Sequence, residues 1–411
     1  MITTTVERLT GPARRAGETL LQNPRVALGA QAMSVLGYGL VEKVRPPTPL
    51  TANDVPISGA DVTPEWLTAV LCQGVPGARV LNFSNPGGSS GSTERLALRV
   101  AYNEAGQQAG LPTELFTKAG TKISQRLLTG GAGVLHGEEH FYMLLRDKTT
   151  MEAPRGYWAK ADDRSWRSIT IMEDIAATKG ARFVGPTERL TQEQMHDLVR
   201  TLACMHGQLW EDPALNVLRT LRQYIERTTA MVALRDRAAV GMERAADEIP
   251  VGLHGQAESI YEATVRSLNI GSDDMPQTLL HGDAHVGQTY VTGDGAMGYA
   301  DWHHCLRGGW AYDFAYAVNS ACEPEDRRRW ERALMQTYLK ALAEYGGPAP
   351  EFDDAWLAYR QQSFWPLTAW LFTIGRAWYQ PEMQPADRCK AIIRRTAAAV
   401  DDLDSFGAIG L

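Results

Sequence analysis

The spacing of hydrophobic and polar positions first indicates β-structure between residues 80 and 118. Three short apolar runs lie there, VLNF at 80–83, LALRVAY at 96–102 and LFTK at 115–118. A glycine- and serine-rich stretch follows the first run, and a polar stretch follows the second. Runs of this length, bounded in this way, are typical of β-strands. The pattern predicts strand, loop, strand, turn and strand.

After residue 118 the pattern becomes mainly helical. A helical stretch is predicted around residues 138–145, and a further strand at 169–172 that runs into an acidic pair. Beyond about residue 190 the apolar positions have helical spacing, interrupted by one β-like passage at 289–301. No internal repeat is present.

The first 60 residues read as a helical leader. It ends in the proline-rich stretch at 45–49, where a helix cannot continue. The main domain is predicted to begin near residue 61, with Thr63 as an N-cap and Pro64 in the first helical turn. The uncharged stretch at 26–41 is interpreted as a packed helix. Its alternative is a shallow membrane-surface segment, since its apolar span is too short to cross a bilayer.

Composition narrows the class of protein. With 411 residues, 44% hydrophobic and 22% charged, the chain suits one two-lobed enzyme or two ordinary domains. The net charge of −7 and the lack of a long basic run argue against nucleic-acid binding. No C-x-x-C pair occurs among the five cysteines, which favours a reducing cytoplasm over a disulfide framework or a zinc ribbon. These are Cys72, Cys204, Cys305, Cys322 and Cys389.

Two carboxylates stand out between residues 278 and 315. Asp283 lies in a glycine-punctuated loop after an apolar run, and Asp301 ends the next apolar run eighteen residues later. Leu280 and Tyr299 are expected at neighbouring strand ends, so that both carboxylates face one cleft. Phosphoryl transfer needs such a pair, one to orient the attacking hydroxyl and one to hold Mg²⁺.

Three motifs here carry a family resemblance. The letters HGDAHVGQ at 281–288 resemble the HGDxHxxN catalytic loop of aminoglycoside phosphotransferases and of choline-kinase-like or ecdysteroid-kinase-like proteins. The pair DW at 301–302 resembles their metal-binding motif, and AYDFA at 311–315 resembles the acidic segment that follows it.

The resemblance implies roles for these residues. Asp283 would be the catalytic base or hydroxyl-orienting group, Asp301 a Mg²⁺ ligand, and Asp313 a brace in the C-lobe. His281 would support the loop, and the role of His285 is left open.

Gln288 departs from the family pattern, which has Asn as the second metal ligand. Its carboxamide oxygen still reaches toward Mg²⁺, one methylene further out. The site is then looser, bridged by water, or degraded in a protein that binds nucleotide without turnover. An active enzyme is favoured because both carboxylates are retained.

The same resemblance implies the nucleotide site. The loop at 85–93 would approach the phosphates. Lys118 would be the strand lysine that pairs with phosphate, anchored by Glu138 or, as the second choice, by Glu139. The acidic pair at 173–174 would lead into the hinge that holds the nucleobase. A plain hairpin turn remains the alternative for the loop. The residues expected at the nucleotide are Gly87, Gly88, Ser89, Ser90, Lys118, Glu138, Glu173 and Asp174.

The resemblance covers about residues 60–405 and implies a fold and a reaction. The fold would be a bilobal, protein-kinase-like α+β fold, with an antiparallel sheet in a small N-lobe (61–175) and a larger, mainly helical C-lobe (176–411). The reaction would move the γ-phosphoryl group of ATP or GTP, with Mg²⁺, to a hydroxyl of a small molecule. The acceptor would be an aminoglycoside, a macrolide, a sterol or another hydroxylated metabolite. The protein would be a monomer or homodimer without a membrane partner.

Two rival functions stay open. One is a non-catalytic nucleotide-binding protein on the same fold, which Gln288 permits. The other is a metal hydrolase, which the spacing of the candidate ligands argues against. Those ligands are His281, His285, His303, His304 and Cys305. The aromatic residues at 364–372 and 378–379 are expected mostly in the core. Any that line the cleft would favour an acceptor with an apolar or ring-shaped body.

Overall fold

The computed structural model of the protein describes residues 24–91, 93–348, 350–378, 380 and 382–411, with side chains from residue 29 onward. The first 23 residues of the predicted leader lie outside the described residues, as do Ser92 of the glycine-rich loop and Tyr379 of the aromatic segment.

An antiparallel sheet forms the small lobe. Its strands lie in the order β1, β3, β4, β6, β5, with β2 paired to β3 beside β1. Each strand predicted in this part is confirmed, but the edge strand β5 was not predicted, because a glycine and two charged residues interrupt its pattern. The strands are β1 (Val80–Ser84), β2 (Gly88–Ser90), β3 (Glu94–Tyr102), β4 (Glu114–Ala119), β5 (Gly156–Asp162) and β6 (Arg167–Glu173).

Short helices surround this sheet. The predicted helix start is confirmed, since the Thr63 side chain accepts a hydrogen bond from the backbone N–H of Trp66 at 3.0 Å and Pro64 opens the helix. The helices are α1 (Pro24–Val44), α2 (Pro64–Leu71), α3 (Glu104–Gln108), α4 (Ile123–Ala132) and α5 (Gly137–His140), and a π-helical turn (Phe141–Leu145) continues α5.

Helix α1 packs on α4 through one face. Val35 is fully buried there, and Glu42 forms an ion pair with the buried Arg126 at 2.8 Å. The opposite face carries exposed apolar side chains, including Met33 and Leu40. No helix in the described part of the chain combines the length and the apolar composition needed to cross a membrane.

The large lobe is mainly helical, as predicted, and encloses short strand pairs. Every residue of its central helix, α11, is buried, including the polar Asp313, Asn319 and Ser320. Its helices are α6 (Ile175–Lys179), α7 (Gln192–Gln208), α8 (Leu221–Val232), α9 (Leu234–Arg244), α10 (Ala257–Asp273), α11 (Ala311–Ala321), α12 (Pro324–Glu344), α13 (Phe352–Gln361), α14 (Phe364–Ile374), α15 (Ala386–Asp402) and α16 (Ser405–Ala408). Its strands are β7 (Arg182–Phe183), β8 (Thr278–Leu280), β9 (Thr289–Val291), β10 (Met297–Tyr299) and β11 (Leu306–Gly308).

The two carboxylate loops follow strands that end near each other but are not paired. Leu280 ends β8, which pairs with β11, whereas Tyr299 ends β10, which pairs with β9. The two strand ends still meet, because the His281 ring donates a hydrogen bond to the carbonyl oxygen of Ala300 at 2.9 Å. The His281 side chain, rather than hydrogen bonding between the two strands, therefore brings the two carboxylate loops together.

The two lobes touch at the start of α5. The rings of Phe141 and Trp302 are parallel, with centroids 3.6 Å apart, and the thiol of Cys305 donates to the carbonyl oxygen of Gly137 at 3.1 Å. A Cβ at Gly137 would lie 2.0 Å from the carbonyl oxygen of His303. Only glycine permits this approach, so Gly137 sets the distance between α5 and the large lobe.

We predict that Gly137→Ala separates the lobes locally. The added methyl cannot fit, so the free energy of unfolding should fall by about 1–3 kcal/mol. Gly131→Ala is the matched control, because a Cβ there meets no atom within 4 Å, and it should be neutral or stabilising. Urea unfolding of both variants measures the difference, and equal stability of the two would contradict the packing described here.

Candidate active site

A buried lysine joins the two lobes. Lys118, on β4, places its Nζ 2.8 Å from Oε1 of Glu138 and 2.5 Å from Oδ1 of Asp301. Burial disfavours the ammonium, but Asp301 and Glu138 outweigh this and raise the pKa of Lys118 above its ordinary value. The lysine therefore stays charged between one carboxylate from each lobe.

Glu138 is the predicted anchor, and the structure brings it to the lysine. Its second oxygen accepts a hydrogen bond from the hydroxyl of Thr170, on β6, at 2.9 Å. The fallback, Glu139, points elsewhere, since it contacts His136 at 2.7 Å and accepts from the backbone N–H of Ala161. The choice between the two glutamates is thus made by the helical rotation of α5.

The Asp301 carboxylate contacts basic side chains from several elements. Besides Lys118, its carboxylate contacts Arg95 Nη2 at 3.5 Å and the Nδ1 atom of His303. Burial acts to raise the pKa of Asp301, but His303, Lys118 and Arg95 hold it well below its ordinary value. The backbone of Asp301 is left-handed, with φ 69°, a conformation that costs about 1 kcal/mol or more in a non-glycine residue.

Asp283 is also held as a carboxylate. Its Oδ2 accepts from Nε2 of Gln288 at 3.0 Å and lies 3.5 Å from Nε2 of His285. Burial opposes ionisation, yet His285, His304 and Gln288 together hold the pKa of Asp283 below its ordinary value. At neutral pH Asp283 is therefore an ionised acceptor of hydrogen bonds.

The loop that presents Asp283 is clamped from below by Asp313. This fully buried carboxylate accepts from the backbone N–H groups of His281 at 2.6 Å and Gly282 at 3.1 Å, and it lies 3.4 Å from the buried ring of His206. Gly282 has φ 80°, and a Cβ there would lie 2.0 Å from the carbonyl oxygen of His304. The loop therefore needs both this glycine and this acid.

His281 holds the loop as a neutral ring. Its Nε2 donates to Ala300 and its Nδ1 accepts from the backbone N–H of Asp283 at 3.3 Å. Burial lowers the pKa of His281, which keeps this tautomer in place. His285 caps the following turn, since its Nδ1 accepts from the N–H of Gly287 at 3.0 Å.

The site offers oxygen donors that suit Mg²⁺. The backbone N–H of Ala300 donates to the backbone carbonyl oxygen of Gln288 at 2.9 Å, which joins the segments that carry Asp301 and Gln288, and the Gln288 carboxamide contacts Asp283. Carboxylate and carboxamide oxygens are hard ligands, and Mg²⁺ takes few protein ligands because it keeps waters and phosphate oxygens. In the described ranges no group of three or more His, Cys, Asp or Glu side chains is placed to hold a metal ion.

The predicted loop and hinge residues lie at the edges of the cleft. Gly88, Ser89 and Ser90 form β2, and Gln125 of α4 donates to the carbonyl oxygen of Gly91 at 2.6 Å. At the hinge, Glu173 accepts from the hydroxyl of Thr178 at 2.7 Å, and Asp174 caps α6 and pairs with Arg99 at 2.9 Å. The hinge side chains are engaged in the fold itself.

Aromatic side chains surround Asp283 in the large lobe. Tyr316 hydrogen-bonds to the Asp283 carboxylate, and the Trp370 ring lies edge-on to His285 at 5.0 Å. Trp365 contacts Tyr224 at 5.2 Å. The expectation that most residues of the aromatic segment are core is confirmed.

Several residues of the site were not anticipated from the sequence. Arg95, His303 and Thr170 contact the Lys118 cluster, and Gln125 anchors the turn of the glycine-rich loop. Arg95 could have been found only from the strand register, because its place opposite Lys118 leaves no local signal.

Comparison with known proteins gives one informative match. A model of the phosphotransferase enzyme family matches residues 117–356, more than half of the chain, and the matched range contains Lys118, Asp283 and Asp301. A search of curated proteins finds no match.

Solved structures match this chain at low identity. The choline kinase LicA from Streptococcus pneumoniae is 14% identical, with a TM-score of 0.43 over 79% of this chain and 94% of that chain. An ethanolamine kinase from Plasmodium vivax is 12% identical, with a TM-score of 0.41 over 79% and 84%. An aminoglycoside phosphotransferase from Streptomyces rimosus, in complex with ADP and streptomycin, is 12% identical, with a TM-score of 0.39 over 69% and 91%. Likeness at this level carries no argument about the substrate.

We predict that the protein loses stability as the pH is lowered and that part of this loss depends on His304. Burial, together with the neighbouring His303, lowers the pKa of His304 to about 3. The unfolded chain binds a proton near pH 6.5 and the folded chain does not, so stability falls as the pH drops below about 6.5. In the native protein the free energy of unfolding should fall as the pH is lowered from 6 to 5. In His304→Gln this fall should be smaller by up to about 1 kcal/mol per pH unit.

The matched control is His136→Gln. Contacts with Glu139, against the effect of burial, raise the pKa of His136 to about 9. Its contribution is complete below about pH 6.5 and is lost only as the pH rises through 9. Urea titrations at pH 8, 7, 6 and 5 should therefore show an unchanged acid slope in this variant. An unchanged slope in His304→Gln as well would refute the assignment.

Proposed function

We propose a reaction for this chain from the premise that it belongs to the phosphotransferase enzyme family. The protein is a small-molecule kinase that transfers the γ-phosphoryl group of ATP or GTP to a hydroxyl group of its acceptor. The supporting observation is the pair of ionised carboxylates at one cleft, with Asp301 bonded to Lys118 and Asp283 presented by the clamped loop. Phosphoryl transfer depends on positioning and charge stabilisation, which this arrangement supplies.

In this reaction Lys118 contacts phosphate oxygens while Glu138 keeps its ammonium in place. Asp301 and Gln288 would hold Mg²⁺, which supplies neutralisation of the triphosphate charge when bound. The cations now gathered on Asp301 keep that residue ionised and ready to act as a ligand.

Asp283 orients the acceptor hydroxyl. Because its pKa lies below the ordinary value, it is a weak base before the reaction begins. It accepts the hydroxyl hydrogen bond and takes the proton late, when the new oxygen–phosphorus bond has made that hydroxyl acidic. Tyr316 and the neutral ring of His281 hold the surroundings of this carboxylate.

The residues near Asp283 support a proposal for the acceptor class. Tyr224, Tyr316 and Trp370 lie buried around this part of the large lobe. Aromatic surroundings favour an acceptor with an apolar or ring-shaped body. A macrolide, a sterol or another hydroxylated metabolite fits this description, and so does the ring system of an aminoglycoside.

A second candidate function rests on Gln288. Its amide donates to Asp283, the carboxylate that would receive the acceptor hydroxyl. If that bond persists when nucleotide is bound, the protein binds nucleotide and does not transfer phosphate. Nucleotide binding alone does not separate the two functions, but turnover does.

We expect Mg²⁺-dependent binding of ATP or GTP and slow hydrolysis in the native protein, both strongly reduced in Asp301→Ala. Titration calorimetry and direct measurement of the released nucleoside diphosphate test this without any acceptor. If native protein binds neither nucleotide, the kinase assignment fails.

The partner variant is Asp283→Asn, which keeps the shape of the side chain and removes its charge. Binding of Mg²⁺–ATP should stay within about threefold of the native protein, whereas hydrolysis and transfer should fall by a factor of 100 or more. Full turnover in Asp283→Asn would exclude the role given to this carboxylate. Native binding without any turnover would favour the non-catalytic function.

A further inference from the structure

The strand register aligns four side chains across the small-lobe sheet. Ser89 on β2 is opposite Arg95 on β3, Arg95 is opposite Lys118 on β4, and Lys118 is opposite Thr170 on β6. Directly opposed residues of antiparallel strands project from the same face of the sheet. Since Lys118 and Thr170 both reach Glu138 in the cleft, Arg95 and Ser89 face the cleft as well.

The two cations of this row have different surroundings. Lys118 is almost fully buried, with 6% of its side chain exposed, and is saturated by two short carboxylate contacts. Arg95 is 39% exposed, and among the described residues its side chain makes one long ionic contact, of 3.5 Å, with Oδ2 of Asp301. A guanidinium has five N–H donors, so most of the donors of Arg95 remain available on the open side of the cleft.

We propose that Arg95 is a phosphate-binding residue that exchanges Asp301 for the β- and γ-phosphates of the nucleotide. The proposal rests on the proposed function, because it assigns a ligand contact within the same site. Arg95 binds the terminal phosphates from the side of the glycine-rich hairpin, opposite the catalytic loop.

The charge balance of the site supports this exchange. Asp301 is shared by Lys118 and Arg95, and Lys118 has a second carboxylate partner in Glu138, so Arg95 is the cation that this cluster holds least tightly. A planar guanidinium binds phosphate oxygens in a bidentate manner, which a lysine does not. When Asp301 acts as a metal ligand, Arg95 loses its carboxylate partner at the point where phosphate oxygens arrive.

The position of Arg95 is well defined. A Cβ at Gly88 would lie 2.4 Å from the carbonyl oxygen of Arg95, so β2 approaches this residue closely, and Gln125 fixes the adjoining turn at Gly91. The matched family region begins only at residue 117, and Arg95 therefore lies outside the part of the chain that carries the family match.

The alternative role for Arg95 is structural, to neutralise the charge of Asp301. The two roles predict a different dependence of nucleotide affinity on the number of phosphate groups in the nucleotide. A phosphate contact near the metal ligand concerns the β- and γ-phosphates, whereas a structural role affects every nucleotide alike.

The test is calorimetric titration of native protein, Arg95→Gln and Arg95→Lys with ATP, ADP and AMP in the presence of Mg²⁺. Arg95→Gln should weaken ATP binding by about 10- to 100-fold, the loss expected for one charge-assisted contact, and leave AMP binding within about twofold. Arg95→Lys should recover part of the ATP affinity. Unchanged AMP binding also shows that the variants are folded.

Arg164→Gln is the control, because it removes one exposed cation from the turn between β5 and β6 in the same lobe. It should leave all three affinities unchanged. Unchanged ATP affinity in Arg95→Gln, or an equal loss for ATP and AMP, would overturn the assignment of Arg95 alone. Absence of nucleotide binding by the native protein would instead overturn the proposed function, and the two failures are therefore distinct.

Discussion

The structure depends on one buried ammonium group that requires a carboxylate from each lobe. Lys118 has lost almost all contact with water, and a buried charge without partners would cost several kcal/mol. Glu138 from the small lobe and Asp301 from the large lobe satisfy it together. The sheet, helix α5 and the loop after β10 therefore have to meet at one point, and the cleft between the lobes is defined there.

The same requirement explains the irregular backbone on the large-lobe side. The backbone of the Asp283 loop does not form β-ladder hydrogen bonds of its own. Asp313, on the fully buried helix α11, instead accepts hydrogen bonds from two backbone N–H groups of this loop. Gly282 permits the left-handed turn, and Asp301 adopts a similar conformation without being glycine. Local strain of this kind persists only where surrounding contacts determine the backbone, as they do here.

Most of the fold could be predicted from the sequence where elements are long or strongly patterned. The strands between residues 80 and 118, the cap at Thr63 and the helical large lobe are confirmed. The strands β2 and β5 were missed, and the partners of β8 and β10 were not predicted. Three-residue strands have no measurable period, and their partners lie far away in the chain, so local pattern does not specify them. The proposed domain boundaries and the roles of the site residues remain predictions.

The sequence by itself determined which chemical groups the site contains and which of them lie in loops. The carboxylates of Asp283 and Asp301, eighteen residues apart, indicated phosphoryl transfer, because residue type and local turn preference are properties of neighbouring residues. Only the tertiary structure decided that Arg95 is opposite Lys118, that Glu138 and not Glu139 reaches it, and that His281 joins two loops. Those choices depend on strand register, helix rotation and burial, which arise from contacts between residues distant in the chain.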